Sequence, residues 1–191
     1  IKNLNLNKTK FINNLRSKSL EKFLSIQKYD LMISTGFPHI FHKKFFKLSK
    51  YGIINLHAGK LPKYRGGSPL VWQIINNEKE IGLSIIKINE QIDGGSILSK
   101  AKFKNLKSHN IDIVQKKANK LFLKLTLKAI TKLQNKNKLK IQPKSLSYFK
   151  QRNDKDGFID FAKSSNDVYN FVRAQSYPYK GAFFFNRKKK F

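Results

Sequence analysis

An amide, an imidazole and a carboxylate, each beside glycines at the end of an apolar run, make the first candidate for chemistry in this chain. Asn55 and His57 close the run Gly52-Ile53-Ile54-Asn55-Leu56-His57, and Asp93 stands in Ile92-Asp93-Gly94-Gly95. Residues two apart on a strand leave it on the same face, so Asn55 and His57 are expected to share one side of a sheet. The set suits acyl transfer to an amine. Histidine accepts or shuttles the proton of an attacking amine near neutral pH. An asparagine N–H stabilises the oxyanion of a tetrahedral intermediate, and an aspartate fixes the imidazole tautomer and favours its protonated form. No serine, threonine or cysteine sits at a strand-to-helix elbow, so direct transfer fits better than an acyl-enzyme. One carboxylate with one nearby histidine is too sparse for zinc, and no metal is expected. Taken singly, His57 reads as a hydrogen-bonded structural histidine, Asn55 as a cap or turn residue and Asp93-Gly94 as a hairpin turn. Their order and spacing together favour function.

Between Asn55 and Asp93 lies an irregular loop, Leu61-Pro62-Lys63-Tyr64-Arg65-Gly66-Gly67-Ser68-Pro69. Pro62 restricts the backbone and Gly66-Gly67 relax it, which is expected to place Tyr64 and Arg65 over the crevice as substrate contacts. Arg65 could clamp a carboxylate or a phosphate there.

The elements that must position these groups follow an alternating pattern. Residues 9–28 read as an amphipathic helix, 31–34 as a buried strand ended by Gly36 and Pro38, and 39–48 as a short helix. Residues 52–57 form the next strand, and Pro69 opens a helix over 69–75. Strands over 81–88 and 97–103 are joined through the Asp93 turn as a hairpin-like pair, so the sheet is expected to be mixed and mainly parallel. One long helix, over 110–138, carries Ile111, Val114, Ala118, Leu121, Phe122, Leu125, Ile130 and Leu133 on its apolar face. Helix and strand in this rhythm mark an α/β fold with loops gathered at strand ends. The character changes at Pro143. A helix capped by Ser164 or Ser165 is expected to turn Val168, Phe171 and Val172 inward, and Gly181 opens a strand with no partner of its own before a turn at Asn186-Arg187-Lys188. The expected division is a catalytic domain over 1–142, lacking its first strands, and the start of a truncated C-terminal module over 143–191.

The chain has 191 residues, enough for about one domain with a real core. It has no cysteine, which excludes disulfides and thiolate chemistry. There is no apolar stretch long enough to span a membrane and no signal-peptide core. The formal charge of +29 invites a nucleic-acid reading. Against it, the only arginines are Arg16, Arg65, Arg152, Arg173 and Arg187, and the lysines are scattered. Arginine is the better fork for phosphates and base edges. Abundant Lys, Asn, Ile, Phe and Tyr together read as a compositional bias, with part of the charge left to attract an anionic substrate. Arg173 is expected either to pair with Asp156 or Asp160 or to face a substrate phosphate.

The run Asn55-Leu56-His57-Ala58-Gly59-Lys60-Leu61-Pro62-Lys63-Tyr64-Arg65-Gly66, followed by Ser68-Pro69, resembles the central motif of 10-formyltetrahydrofolate-dependent formyltransferases. Ile92-Asp93-Gly94-Gly95 resembles the aspartate loop of that family. The resemblance implies a Rossmann-like domain and formyl transfer from N10-formyltetrahydrofolate, as co-substrate, to an amine. It implies that Asn55, His57 and Asp93 are catalytic, and that Gly36, Phe37, Pro38, His39 and Ile40 line the pterin pocket. Gly59-Lys60 departs from the family's usual serine-leucine. The segments from Tyr148 to Phe161, Val172-Arg173-Ala174 and Tyr177 to Phe184 look most like enzymes that N-formylate nucleotide-linked 4-amino sugars. That branch implies a cytoplasmic role in lipopolysaccharide biosynthesis, with a homodimer left open. Methionyl-tRNA formyltransferases share part of these segments and form the alternative acceptor class. An inactive folate-binding module is the alternative outside catalysis.

Overall fold

The computed structural model describes residues 22, 24–25, 29–37, 39–135, 138–144 and 148–191. The helix expected over 9–28 falls almost wholly outside the described residues, as does Pro38. Strand Met32–Thr35 (β1) runs parallel to Ile53–His57 (β2), pairing Met32 with Ile53 and Thr35 with Leu56. Glu80–Lys87 (β3) and Ile97–Lys104 (β4) complete a sheet in the order β1-β2-β3-β4.

The sheet is mixed and mainly parallel in strand direction, as expected: β1, β2 and β4 run one way and β3 alone is reversed, so both of its pairings are antiparallel. Chain length explains it. Helix Pro69–Ile75 (α1) is only seven residues, about 10 Å long. It does not carry the chain back along the sheet, and β3 starts at the His57 end, where Ser84 pairs with His57. The expected short helix over 39–48 is a 3₁₀ turn at Lys43–Lys47.

Helix Ile111–Gln134 (α2) is capped by Asn110, whose side chain accepts from the Ile113 N–H. It buries Ile111, Val114, Ala118, Phe122, Leu125, Ala129 and Leu133, while Leu121 and Ile130 are half-buried at the margins. This face meets Ile54, Ile81, Leu83, Ile85 and Leu98 of the sheet and Leu70, Val71 and Ile74 of α1. Each fully buried Leu or Ile there contributes about 1.5–3 kcal/mol. Strand alternation then sorts β2: Ile54 enters this core, whereas Ile53 packs with Phe45 in a smaller cluster on the other face. Asn55 and His57 share the face of Ile53.

Helix Ser165–Gln175 (α3) is capped by Ser164, which accepts from the Asp167 N–H. Its inward face differs from the expected one. Val172 is exposed and Val168 and Phe171 half-buried, whereas Asn170, Arg173, Ala174 and Gln175 are buried. Arg173 sets this rotation, because its guanidinium finds the carbonyls of Leu106 and His109 and the side chains of Asn105 and Asn170. It pairs with neither Asp156 nor Asp160. The strand expected to stand alone is also corrected. Phe185–Asn186 (β5) pairs antiparallel with Lys189–Lys190 (β6) across a turn at Arg187 and Lys188, and Phe183 bridges to Phe158. No helix among the described residues is long and apolar enough to cross a membrane.

Candidate active site

β1 and β2 end side by side, so the 36–40 loop leaves the sheet next to His57. His57 is buried, and both of its ring nitrogens face oxygen acceptors: Nε2 lies 2.6 Å from the Tyr64 carbonyl and Nδ1 3.4 Å from Asp93 Oδ1. Only glycine fits at position 59 in this arrangement, since a Cβ there would meet His57 Nε2 at 2.3 Å and the Tyr64 carbonyl oxygen at 2.6 Å. Asn55 is half-buried on the same strand face, and its side-chain amide makes no hydrogen bond among the described residues.

Asp93 reaches His57 by a different route from the one the strand order suggested. β3 is antiparallel and ends beside Ile54, away from His57. The loop after it therefore doubles back across the sheet face. Gly95 makes the reversal possible, because a Cβ there would lie 1.7 Å from the Lys87 carbonyl oxygen. Asp93 sits in the left-handed region at φ +48°, which short polar side chains tolerate best after glycine. Its Oδ2 accepts from the Gly66 N–H at 2.9 Å, leaving Oδ1 for the imidazole.

The loop between β2 and α1 is fastened from several sides. Gln73, fully buried on α1, donates to the Ala58 and Gly82 carbonyls and accepts from the Gly82 N–H. Ser84 donates to the Gly59 carbonyl. On the other flank, residues 148–152 lie along the loop: Phe149 N donates to the Arg65 carbonyl, Gly67 N to the Phe149 carbonyl, and the Trp72 indole to the Lys150 carbonyl. A Cβ on Gly66, whose φ is +98°, would lie 2.2 Å from the Phe149 carbonyl oxygen.

Tyr64 and Arg65 are not exposed over the crevice: Tyr64 is 0% and Arg65 1% accessible. Tyr64 stacks on Phe149 at 4.8 Å and donates its hydroxyl to Glu78 at 2.8 Å. Burial pushes its phenol pKa up, so it stays a neutral donor. Burial also acts to raise the Glu78 carboxyl, but hydrogen bonds from Lys63 and Tyr64 and the charges of Lys63 and Lys60 outweigh it and lower its pKa. Arg65 Nη2 donates to Gln142 Oε1 and to the Pro143 carbonyl. The same enclosure takes both side chains off the surface on which a substrate would meet them.

The 36–40 loop has the opposite character. Gly36 takes φ +59° with open space around it, Ile40 is 67% exposed, and Phe37 stacks on Phe41 at 4.5 Å with His39 edge-on to it. Pro38 lies outside the described residues. Among the described residues no cluster of three or more His, Asp or Glu is placed to hold a metal ion. Gln73 and Gln142 were missed by sequence reasoning. Only the position of Gln142 before Pro143, which favours an extended backbone, could have drawn attention to it.

A family model described as "Formyl transferase" matches residues 4–130, and one described as "Formyl transferase, C-terminal domain" matches residues 152–191. The chain belongs to the formyl transferase family. Its α/β Rossmann-like fold with a mixed sheet and a small C-terminal module is the formyl transferase arrangement. It is 39% identical to the bifunctional polymyxin resistance protein ArnA of Wigglesworthia glossinidia brevipalpis, over 95% of this chain and 28% of that protein. It is 34% identical to a methionyl-tRNA formyltransferase of Prochlorococcus marinus (strain MIT 9515), over 82% of this chain and 52% of the relative. This formyl transferase chain therefore spans about half, or less, of these two relatives. The crystal structure of a 4-N formyltransferase from Francisella tularensis matches with a TM-score of 0.71 at 27% identity, over 91% of this chain and 72% of that one.

Proposed function

We propose that the chain catalyses formyl transfer from N10-formyltetrahydrofolate to the amine of a nucleotide-linked 4-amino sugar. The observation that carries the reaction is the His57–Asp93 pair beside the Asn55 amide, which has no partner among the described residues. In this reading Asp93 holds Nδ1, so Nε2 is the nitrogen that exchanges a proton with the substrate amine. To do so the ring turns off the Tyr64 carbonyl, which Nε2 faces in this structure. The amine lone pair forms the new N–C bond to the formyl carbon, and the bond from that carbon to N10 breaks. The amine loses one proton and N10 gains one, with His57 as the relay. Asn55 donates to the oxygen on which negative charge develops, where a fixed dipole is most effective. The exposed 36–40 loop, at the end of β1 beside His57, is the surface offered to the folate.

The sugar acceptor is supported by the resemblance of the segments from Tyr148 to Phe161 and from Tyr177 to Phe184 to enzymes of that branch, and the 4-amino position by the likeness to the 4-N formyltransferase. A methionyl-tRNA acceptor is the second reading, favoured by the 34% identity to the Prochlorococcus enzyme and by the +29 charge. A transfer assay with 10-formyltetrahydrofolate separates them. The proposal expects formylation of at least one nucleotide-linked 4-amino sugar and none of charged initiator tRNA. Formylation of the tRNA alone would replace the acceptor, and folate binding without transfer to either would overturn the catalytic reading.

A further inference from the structure

Gln142 lies between the long helix α2 and the C-terminal segment, is 8% exposed, and uses both ends of its amide. Its Nε2 donates to the Asp93 carbonyl at 2.9 Å and to the Gly95 carbonyl at 2.5 Å. Its Oε1 accepts from Arg65 Nη2 at 3.2 Å, and the same guanidinium nitrogen donates to the Pro143 carbonyl at 2.8 Å. Next to Arg65, the Gly66 N–H holds Asp93 Oδ2 at 2.9 Å. The ring of contacts is closed: Arg65 fixes Gln142, Gln142 fixes the backbone on both sides of Gly94, and Gly66 fixes the Asp93 carboxylate. Asp93 needs such support, because its loop doubles back from the far end of β3 and its own backbone sits at φ +48°. Nothing else described holds the Asp93 and Gly95 carbonyls by a side chain.

We infer that Gln142 is a positioning residue for the reaction, an amide strut that sets Asp93 against His57 and ties the site to the segment entering the C-terminal module. The inference rests on the formyl-transfer reading for its kinetic consequence, but not for its structural one. Buried donors and acceptors that lose a partner are costly, and a shift of about 1 Å at a reacting group can lower a rate about 100-fold. A carboxylate in place of the amide separates positioning from simple filling of space. Gln142→Glu keeps the volume and gains a charge pair with Arg65, yet turns an acceptor toward two carbonyl oxygens. The strut should therefore fail while the fold survives.

The test measures kcat and KM per folded molecule for Gln142→Glu and Gln142→Asn, together with the ¹⁵N-histidine spectrum of each. The His57 signal is assigned by its loss in His57→Asn. The expected result is a kcat lower by roughly 10–100-fold, a KM for the folate changed far less, and a His57 signal moved as it is in Asp93→Asn. If the native protein transfers no formyl group but the His57 signal still moves, the strut stands and the proposed function fails. If a variant loses thermal stability while kcat and the His57 signal stay native, Gln142 only fills space and the inference is overturned. Native kinetics with an unmoved signal overturns it equally.

Discussion

The loop after β2 buries Tyr64 and Arg65 to 0% and 1% accessibility, whereas the loop after β1 leaves Phe37 37% and Ile40 67% exposed. Both leave the same end of adjacent parallel strands. The first is fastened below by Gln73 and Ser84 and flanked by residues 148–152, and it presents backbone groups to the site: the Tyr64 carbonyl to His57 and the Gly66 N–H to Asp93. Among the described residues, the second shows ring contacts of Phe37 with His39 and Phe41. Groups that move a proton must be fixed to within a fraction of an ångström, while a surface that admits a flat ring system must stay open. The contrast divides the proposed work: chemistry on the fastened side, folate entry on the open side.

Substitutions can break this comparison. The largest effect is expected for His57→Ala, which should lower kcat by about 10²–10⁴-fold while circular dichroism and melting temperature stay near native values. Normal turnover would leave the fastened side without its catalytic role. Asn55→Ala is next, with a loss of about 10²–10³-fold in kcat if its amide donates to the oxyanion. A rate within a few-fold of native would remove that role. A glycine pair then compares the loops directly. Gly66→Ala combines a left-handed backbone with a Cβ 2.2 Å from the Phe149 carbonyl oxygen, and should destabilise by roughly 2–4 kcal/mol and reduce kcat. Gly36→Ala meets nothing within 4 Å, so denaturant titration should find only the roughly 1–2 kcal/mol of its positive φ, with the kinetic change in the KM for folate. Equal losses in the two variants would erase the distinction.

The smallest effect concerns pH. Burial first, then the charges of Lys117 and Arg173, hold the His109 imidazole below its ordinary value of 6.5. The unfolded chain therefore binds this proton more readily, so His109's contribution is full above 6.5 and is lost as pH falls from there through the folded value. The slope from one such group is at most about 1.4 kcal/mol per pH unit. Urea unfolding of His109→Gln between pH 7 and 5 should show a flatter decline than the native protein. An unchanged decline would assign the acid sensitivity elsewhere.

Asn55 and His57 were legible because strand alternation is rigid: two residues apart means one face. Helix α1 was legible to its ends, with Pro69 at its first position. The direction of β3 was not, since it depends on how far a seven-residue helix carries the chain in space. Arg65 illustrates a different limit. Its sequence neighbours are those of a loop tip, but its guanidinium is enclosed with Gln142 and Pro143, distant in the chain, while the Tyr148–Arg152 segment lies along its backbone. Hydrophobic periodicity likewise misplaced the inward face of α3, because the carbonyls awaiting Arg173 belong to the stretch before α2. Long-range polar pairing leaves no local pattern.

The most direct test of the central claim is a double-mutant cycle on transfer from 10-formyltetrahydrofolate, using His57→Ala, Asp93→Asn and the double variant. Asparagine at 93 keeps an acceptor for the Gly66 N–H, so the loop remains in place. If His57 and Asp93 act as one unit, the double variant loses no more rate than His57→Ala alone. Losses that multiply would mean the two residues act independently, and would contradict the account.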